Sequence, residues 1–229
     1  RLFTVSDPAP YTLTLSGSTV QTKPAIYHWA TVNPTVQIST ADAADGRFVL
    51  GCNVTTNADG TYHYEYAVYN YTSDSAGASF SVPVPAFATV TNATFRDVSY
   101  HSGEPYDGTD WTITTTGGRV RWQCTQTYAQ NANANALRWG TLYNFAFDCN
   151  APAGAGTASV DLFKLPASTI GFATKVPSCK MGDIDCSGHV DGADLGLFLS
   201  NWGLPGVSDF DGNGVTEGND LGVLLGQWG

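Results

Sequence analysis

Charge is scarce in this sequence and basic charge scarcer: 13% of the 229 residues are charged, with 10 Lys and Arg against 20 Asp and Glu. A net charge of -10 repels a phosphate backbone, which excludes nucleic acid as a partner. No uninterrupted apolar run reaches about eighteen residues, so neither a membrane helix nor bilayer insertion is expected. Cys-x-x-Cys pairs are absent, which removes the usual signature of zinc ribbons and of thioredoxin-like redox chemistry. HExxH, GxSxG and phosphate-loop motifs are absent too, and no enzyme is expected. What is present suffices for a core. Apolar residues make up 42% and aromatics 12%, and 25 glycines and 11 prolines without a period fit neither collagen nor a disordered chain.

Five cysteines, Cys52, Cys124, Cys149, Cys179 and Cys186, accompany a single Met and abundant Thr, Asn, Ala, Gly and Tyr, a composition of exported proteins. The chain opens at Arg1 on a strand-like segment with no hydrophobic leader, as a processed mature form would. An extracellular or cell-surface location is therefore expected. Cys179 and Cys186 flank a turn and are expected to staple it. Cys52, Cys124 and Cys149 lie on strand-like segments and can supply one further bridge, leaving one thiol buried or bonded to another chain. The sequons at Asn53, Asn70 and Asn92 are compatible with export but common by chance in a Thr-rich chain.

The fold class expected is mainly β: an antiparallel β-sandwich followed by a small C-terminal α-helical unit. Residues 46–165 alternate apolar and polar residues between short breaks rich in Gly, Asn, Asp and Pro. Strands are expected over Arg47 to Thr55, Thr61 to Thr72, Ala78 to Val84, Thr94 to Tyr100, Trp111 to Thr115, Arg119 to Thr125, Arg138 to Asp148 and Thr157 to Phe163, a number and spacing that suit two packed sheets. Gly117-Gly118 suits a tight hairpin, because both central residues must accept positive φ. Asn131 to Ala136 reads as a low-complexity loop. Residues 1–45 form an arm or edge strands, broken by Pro8, Pro10, Pro24 and Pro34, and able to pair with a neighbouring molecule by strand addition. Residues 166–181, which carry Pro166 and Pro177, read as a short linker to the unit over 182–229.

That unit is an internal duplication. GDIDCSGHVDGADLGLFLSNWG (182–203) and SDFDGNGVTEGNDLGVLLGQWG (208–229) align without a gap and share ten of twenty-two positions. Oxygen-bearing residues recur at the first, third, fifth, ninth and twelfth places of each loop, with glycine at the sixth. In the first copy these are Asp183, Asp185, Ser187, Asp191 and Asp194 around Gly188; in the second, Asp209, Asp211, Asn213, Glu217 and Asp220 around Gly214. A calcium ion wants six to eight oxygens at about 2.3 to 2.6 Å, with a sharp turn halfway and a backbone carbonyl just after it, here that of His189 or Val215. Two calcium ions are expected. They would neutralise part of the charge of residues 179–229, which hold eight acids and one lysine. After each loop, Leu195, Phe198, Leu199 and Trp202, then Leu221, Leu224, Leu225 and Trp228, recur at the spacing of one helix face. These eight residues are the expected docking face, and so small a core should depend on metal to fold.

The duplicated loop-plus-helix unit resembles a type I dockerin domain, the calcium-binding module that plugs into a β-sandwich cohesin on another protein. The resemblance covers residues 182–229. It implies that the two ligand sets above are calcium sites and that the helices dock on a protein partner. Cohesin-binding dockerins usually carry a Ser-Thr-like pair just before the last ligand, where this chain has Gly192-Ala193 and Gly218-Asn219. The partner implied is therefore a cohesin-like β-sandwich or a second copy of this chain.

Elsewhere the chemistry is sparse. Asp97, Glu104, Asp107 and Asp110 offer an acid pair, a third calcium site or a solvated loop; His63 and Glu65 would share a strand face. Tyr62, Tyr64 and Tyr66 alternate onto one face, with Tyr69, Tyr71, Trp111, Trp122 and Trp139 nearby in sequence. Such rings either fill a core or form a platform for sugar rings. The leading expectation is a non-catalytic extracellular structural protein whose calcium-loaded tail docks on a β-sandwich of another molecule, building a head-to-tail filament or matrix. The alternative is a carbohydrate-binding accessory protein held by its tail in a polysaccharide-degrading complex.

Overall fold

A computed structural model describes residues 2–6, 12–99 and 103–229. Its elements in chain order are β1 (Leu2–Val5), β2 (Leu13–Ser16), α1 (Ile26–Val32), β3 (Gln37–Ala43), β4 (Gly46–Thr56), β5 (Tyr62–Asn70), β6 (Gly77–Pro83), β7 (Val90–Arg96), β8 (Thr112–Thr116), β9 (Arg119–Gln123), β10 (Leu142–Cys149), β11 (Ala153–Leu162), β12 (Thr169–Pro177), α2 (Gly192–Ser200) and α3 (Gly218–Gly226). The protein is mainly β, and its strands pair antiparallel. One sheet runs β3-β4-β5-β10-β7, a second β12-β11-β6-β9-β8, and among the described residues β1 pairs only with β2.

Alternation decides what each strand buries. β10 places Tyr143, Phe145, Phe147 and Cys149 inward, every second residue, and its neighbour β5 sets Tyr64, Tyr66 and Val68 beside them. From the other sheet come Phe80, Val82, Val120, Trp122, Val160 and Phe172, so the two sheets share one core. Ring contacts join the layers: Phe80 lies 4.6 Å from Phe145 and 5.4 Å from Tyr66, centroid to centroid. β4 is buried on both faces because α1 covers its outer side, with Ile26 against Val49 and Ala67. Gly51 permits this approach, since a Cβ there would meet the Trp29 ring at 2.8 Å.

Several expectations are corrected here. The segment 166–181 is not a linker: β12 occupies most of it and pairs with β11 over nine residues. Ile170, Phe172, Thr174 and Val176 alternate inward, and Pro177 sits at the strand's end, where no further ladder donor is needed. Residues 1–45, expected as an arm or edge strands, do supply the edge strand β3, and the unexpected element there is the helix α1. Tyr11, Pro8 and Pro10, with Tyr100 and His101, lie outside the described residues. The expected strand from Thr94 is β7, shifted toward Val90, and Arg138 precedes β10 rather than opening it. Arg138 instead donates to the carbonyls of Ala132 and Ala134 at 2.8 Å. The Asn131–Ala136 loop is thereby folded into the core: Asn135 is buried, accepts from the Tyr143 hydroxyl at 2.6 Å and donates to Asp97.

No second bridge forms: Cys52, Cys124 and Cys149 are free and buried. Cys52 lies on β4 opposite Tyr66, and Cys149 on β10 opposite Tyr62, so β5 stands between them. Two strand spacings are about 9.6 Å, beyond the roughly 7 Å that a disulfide spans. Cys124 follows β9 in the other sheet.

Candidate metal centre

Each acidic loop curls because its own carboxylates accept backbone N–H groups. In the first, Asp183 accepts from Ser187 N and Gly188 N, both at 2.9 Å, while Asp185 accepts from Ser187 N at 3.0 Å. Asp194, at the start of α2, reaches back to Ile184 N at 2.6 Å, Asp185 N at 3.2 Å and Asp191 N at 2.9 Å. The second loop repeats this pattern with every residue number raised by 26. Asp209 accepts from Asn213 N and Gly214 N, Asp211 from Asn213 N, and Asp220 from Phe210 N, Asp211 N and Glu217 N. The sixth-place glycines take the left-handed turn in both, Gly188 at φ +99° and Gly214 at φ +94°.

The result is two clusters of oxygens. Asp183, Asp185 and Asp194 bring carboxylate atoms within 4.8 Å of one another, and Asp209, Asp211 and Asp220 do the same. Asp191 and Glu217, the ninth-place residues, stand outside these clusters and precede the helices instead; the Asp191 carboxylate accepts from Ala193 N at 2.8 Å. The fifth-place side chains lie close by. Ser187 Oγ is 3.3 Å from the carbonyl of His189, and Asn213 Nδ2 donates to Asp211 and Glu217. The His189 and Val215 side chains take no part, as a carbonyl role requires none. Burial opposes the charge on Asp194, but the N–H donors of Asp191, Asp185 and Ile184 outweigh it and hold the carboxyl below the usual range. For Asp220 the Glu217 N–H leads in the same direction.

The helices close on a core of their own. Val190, Phe198 and Leu224 are fully buried, and Ile184, Leu195, Phe210 and Leu221 pack around them. This corrects the docking face: Phe198 and Leu224 hold the two copies together and face no partner, and Leu195 and Leu221 are half-buried beside them. Four residues remain outward in matched pairs, Leu199 and Leu225 at 54% and 52% exposure, Trp202 and Trp228 both at 49%. Cys179 and Cys186 form the expected disulfide, tying the fourth position of the first loop to the end of β12's extension. Cys186 takes φ +56°, a conformation that its counterpart Gly212 reaches freely at +72°.

No family model, curated protein or solved structure matches the chain. Its chemistry is read from the side chains alone.

Two contacts escaped the sequence reading. Lys180, the one base of the acidic tail, donates to the Gln227 carbonyl at 3.2 Å and so ties the unit's start to its end. Its isolation among acids was the available signal. Phe87, on the connection between β6 and β7, packs on Gly188, and nothing in its sequence neighbourhood pointed there.

The remaining candidates resolve into structural roles. Tyr64 and Tyr66 are buried core rings whose hydroxyls donate to Ala151 O at 2.9 Å and Lys175 O at 2.8 Å, and Trp111 and Trp122 are buried too. Of the two roles open to the aromatic rings, these four take the core one, while Tyr71 and Trp139 stand exposed, and Tyr69 lies 6.0 Å from Tyr71, centroid to centroid. Asp107 accepts from the Thr109 amide and hydroxyl, and among the described residues the Asp97–Asp110 stretch brings no three metal-binding groups together. His63 pairs with Asp148 at 2.7 Å rather than with Glu65. Asn70 is buried, with its amide donating to Ser73 O and Leu137 O, so its sequon has no room for a glycan.

Proposed function

We propose that each loop holds one calcium ion and that the C-terminal unit is a dockerin-like plug, with which a non-catalytic, extracellular β-sandwich protein joins other molecules. The observation that carries this is the repetition, residue for residue, of a carboxylate cradle 26 positions apart. The donor set fits a hard cation, being carboxylate, hydroxyl, amide and carbonyl oxygen with no nitrogen or sulfur ligand. Carboxylates brought this close repel one another, and each cradle gathers three. Backbone donors offset part of that; a divalent ion offsets the rest. Asp183, Asp185, Ser187, the His189 carbonyl and Asp194 would hold the first ion, and Asp209, Asp211, Asn213, the Val215 carbonyl and Asp220 the second, with the ninth-place Asp191 and Glu217, outside each cluster, joining through a water.

Because Asp194 and Asp220 also take up the N–H groups at the helix starts, ion binding and helix formation are coupled. The ordered helices then present Leu199, Trp202, Leu225 and Trp228 to a β-sheet surface on another molecule, a neighbouring copy or a cohesin-like domain. Calorimetric titration of the chelator-treated chain tests the reading. Two calcium ions should bind with a gain of helical ellipticity, Asp194→Asn and Asp220→Asn should each lose one ion, and an absence of calcium binding would overturn the proposal.

A further inference from the structure

The β1–β2 hairpin has one apolar face and nothing among the described residues to cover it. Val5 pairs with Leu13, and Leu15 follows two residues on, so the three share a side of the ribbon. They are 49%, 64% and 61% exposed and belong to none of the buried clusters. A two-stranded ribbon alone is at best marginally stable in water. Across the molecule, β8 has the converse lack. It is an edge strand of sequence TITTT, exposed along its length and without the charge, proline or bulge that usually guards an edge. Ile113 and Thr115 lie opposite Trp122 and Val120 of β9, both fully buried, so they face the interlayer side; Ile113 is nonetheless 37% exposed, because the layer ends there.

We propose that the β1–β2 hairpin of one copy adds to the β8 edge of a second copy. The periods match: Leu13 and Leu15 would continue the inner layer beside Ile113, with the hairpin's threonines turned outward. Placement favours a second copy over the same chain. The hairpin leads through α1 into β3, which lies beside β12, whereas β8 ends its sheet on the opposite side, where Trp122 of β9 donates to the Thr94 carbonyl of β7. A donor on one side and an acceptor on the other make a heterologous contact, which builds a ring where its rotation closes and an open filament where it does not. The hairpin contact deepens the assembly reading above, by naming a joint between copies, but uses neither calcium loop.

Three variants test it. Thr116 and Arg119 flank the two-residue Gly117-Gly118 turn and exchange both ladder bonds, so the N–H of Thr115 points to the open edge. Thr115→Pro removes that donor and leaves the β8–β9 ladder intact. Deleting residues 2–16 removes the hairpin, and Leu13→Asp with Leu15→Asp keeps it but spoils its apolar face. In sedimentation with chelator, which silences any calcium-dependent docking, the intact chain should form a series of multimers, and each variant should run near the single-chain mass of 24.2 kDa. Mixing Thr115→Pro with the deletion should restore a 1:1 dimer and no longer species, since one supplies a hairpin and the other an edge; that dimer also proves both variants folded. An intact chain that stays monomeric, multimers that survive deletion, or a mixture without the dimer would overturn the inference. Repeating the series with calcium separates the two readings: multimers that appear only with calcium and survive deletion of the hairpin leave only the docking proposal standing, while a mixed dimer that forms in chelator supports the hairpin joint independently of the calcium loops.

Discussion

Gly188 lies against Phe87: a Cβ on Gly188 would come within 3.1 Å of the Phe87 ring. The sixth position of the first loop is therefore seated on the β6–β7 connection, while its counterpart Gly214 has nothing within 4 Å. Both glycines are left-handed, so Ala at either should cost about 1–2 kcal/mol. Gly188→Ala should cost more, because Phe87 must also move. Limited proteolysis of the C-terminal unit checks this, with faster cleavage expected for Gly188→Ala than for Gly214→Ala.

Phe198 and Leu224 are the centre of a small core, whereas Leu199 and Leu225 are on its surface. Phe198→Ala should remove about 3–5 kcal/mol, enough to unfold a unit of this size, and leave the two sheets intact. Leu199→Ala should change stability by no more than about 0.5 kcal/mol. Two-step thermal unfolding followed by circular dichroism distinguishes the two, the early step vanishing only in Phe198→Ala.

Asp161 pins four adjacent strands: from β11 it accepts from Ser79 of β6 at 2.8 Å, Arg121 of β9 at 2.7 Å and Thr169 near β12's start at 2.6 Å. Burial works against its charge, but the hydroxyls of Thr169 and Ser79 and the Arg121 guanidinium outweigh it and lower its pKa. A lowered folded-state pKa contributes stability above the unfolded value, about 3.9, and loses it as pH falls through the folded one. Asp161→Asn should cost about 1–2 kcal/mol at neutral pH and flatten the acid limb of a denaturant-midpoint profile below about pH 4.

Burial pushes the Cys52 thiol up to about 11, and raises Cys124 and Cys149. Thiolate is the reactive form, so at pH 8 these thiols should resist alkylation in the native chain. Mass spectrometry should find no adduct before unfolding, three after unfolding without reductant, and five only after reduction of Cys179–Cys186.

Much of this organisation was legible in the residues. A strand such as β10 alternates strictly, and its burial follows that period without help from context. The loops were legible for a different reason: a 12-residue metal-type loop is local, and its donors and the N–H groups they accept lie within ten residues of one another. β12 was misread because its prolines resemble linker punctuation, and only pairing with β11 shows that Pro177 merely ends a strand. Phe198 and Leu224 were placed on a docking face because one helix's apolar stripe does not say which of its residues a second helix will cover.

By itself, the sequence determined the period of the strands, the duplication and its oxygen spacing, and the turn that Cys179 and Cys186 close, since each is set within one or two dozen residues. Tertiary structure alone decided which apolar residues stay outside, which thiols remain apart, and that Phe87 meets Gly188. These depend on what packs from segments about a hundred residues distant, a matter of shape and mutual burial that no local pattern carries.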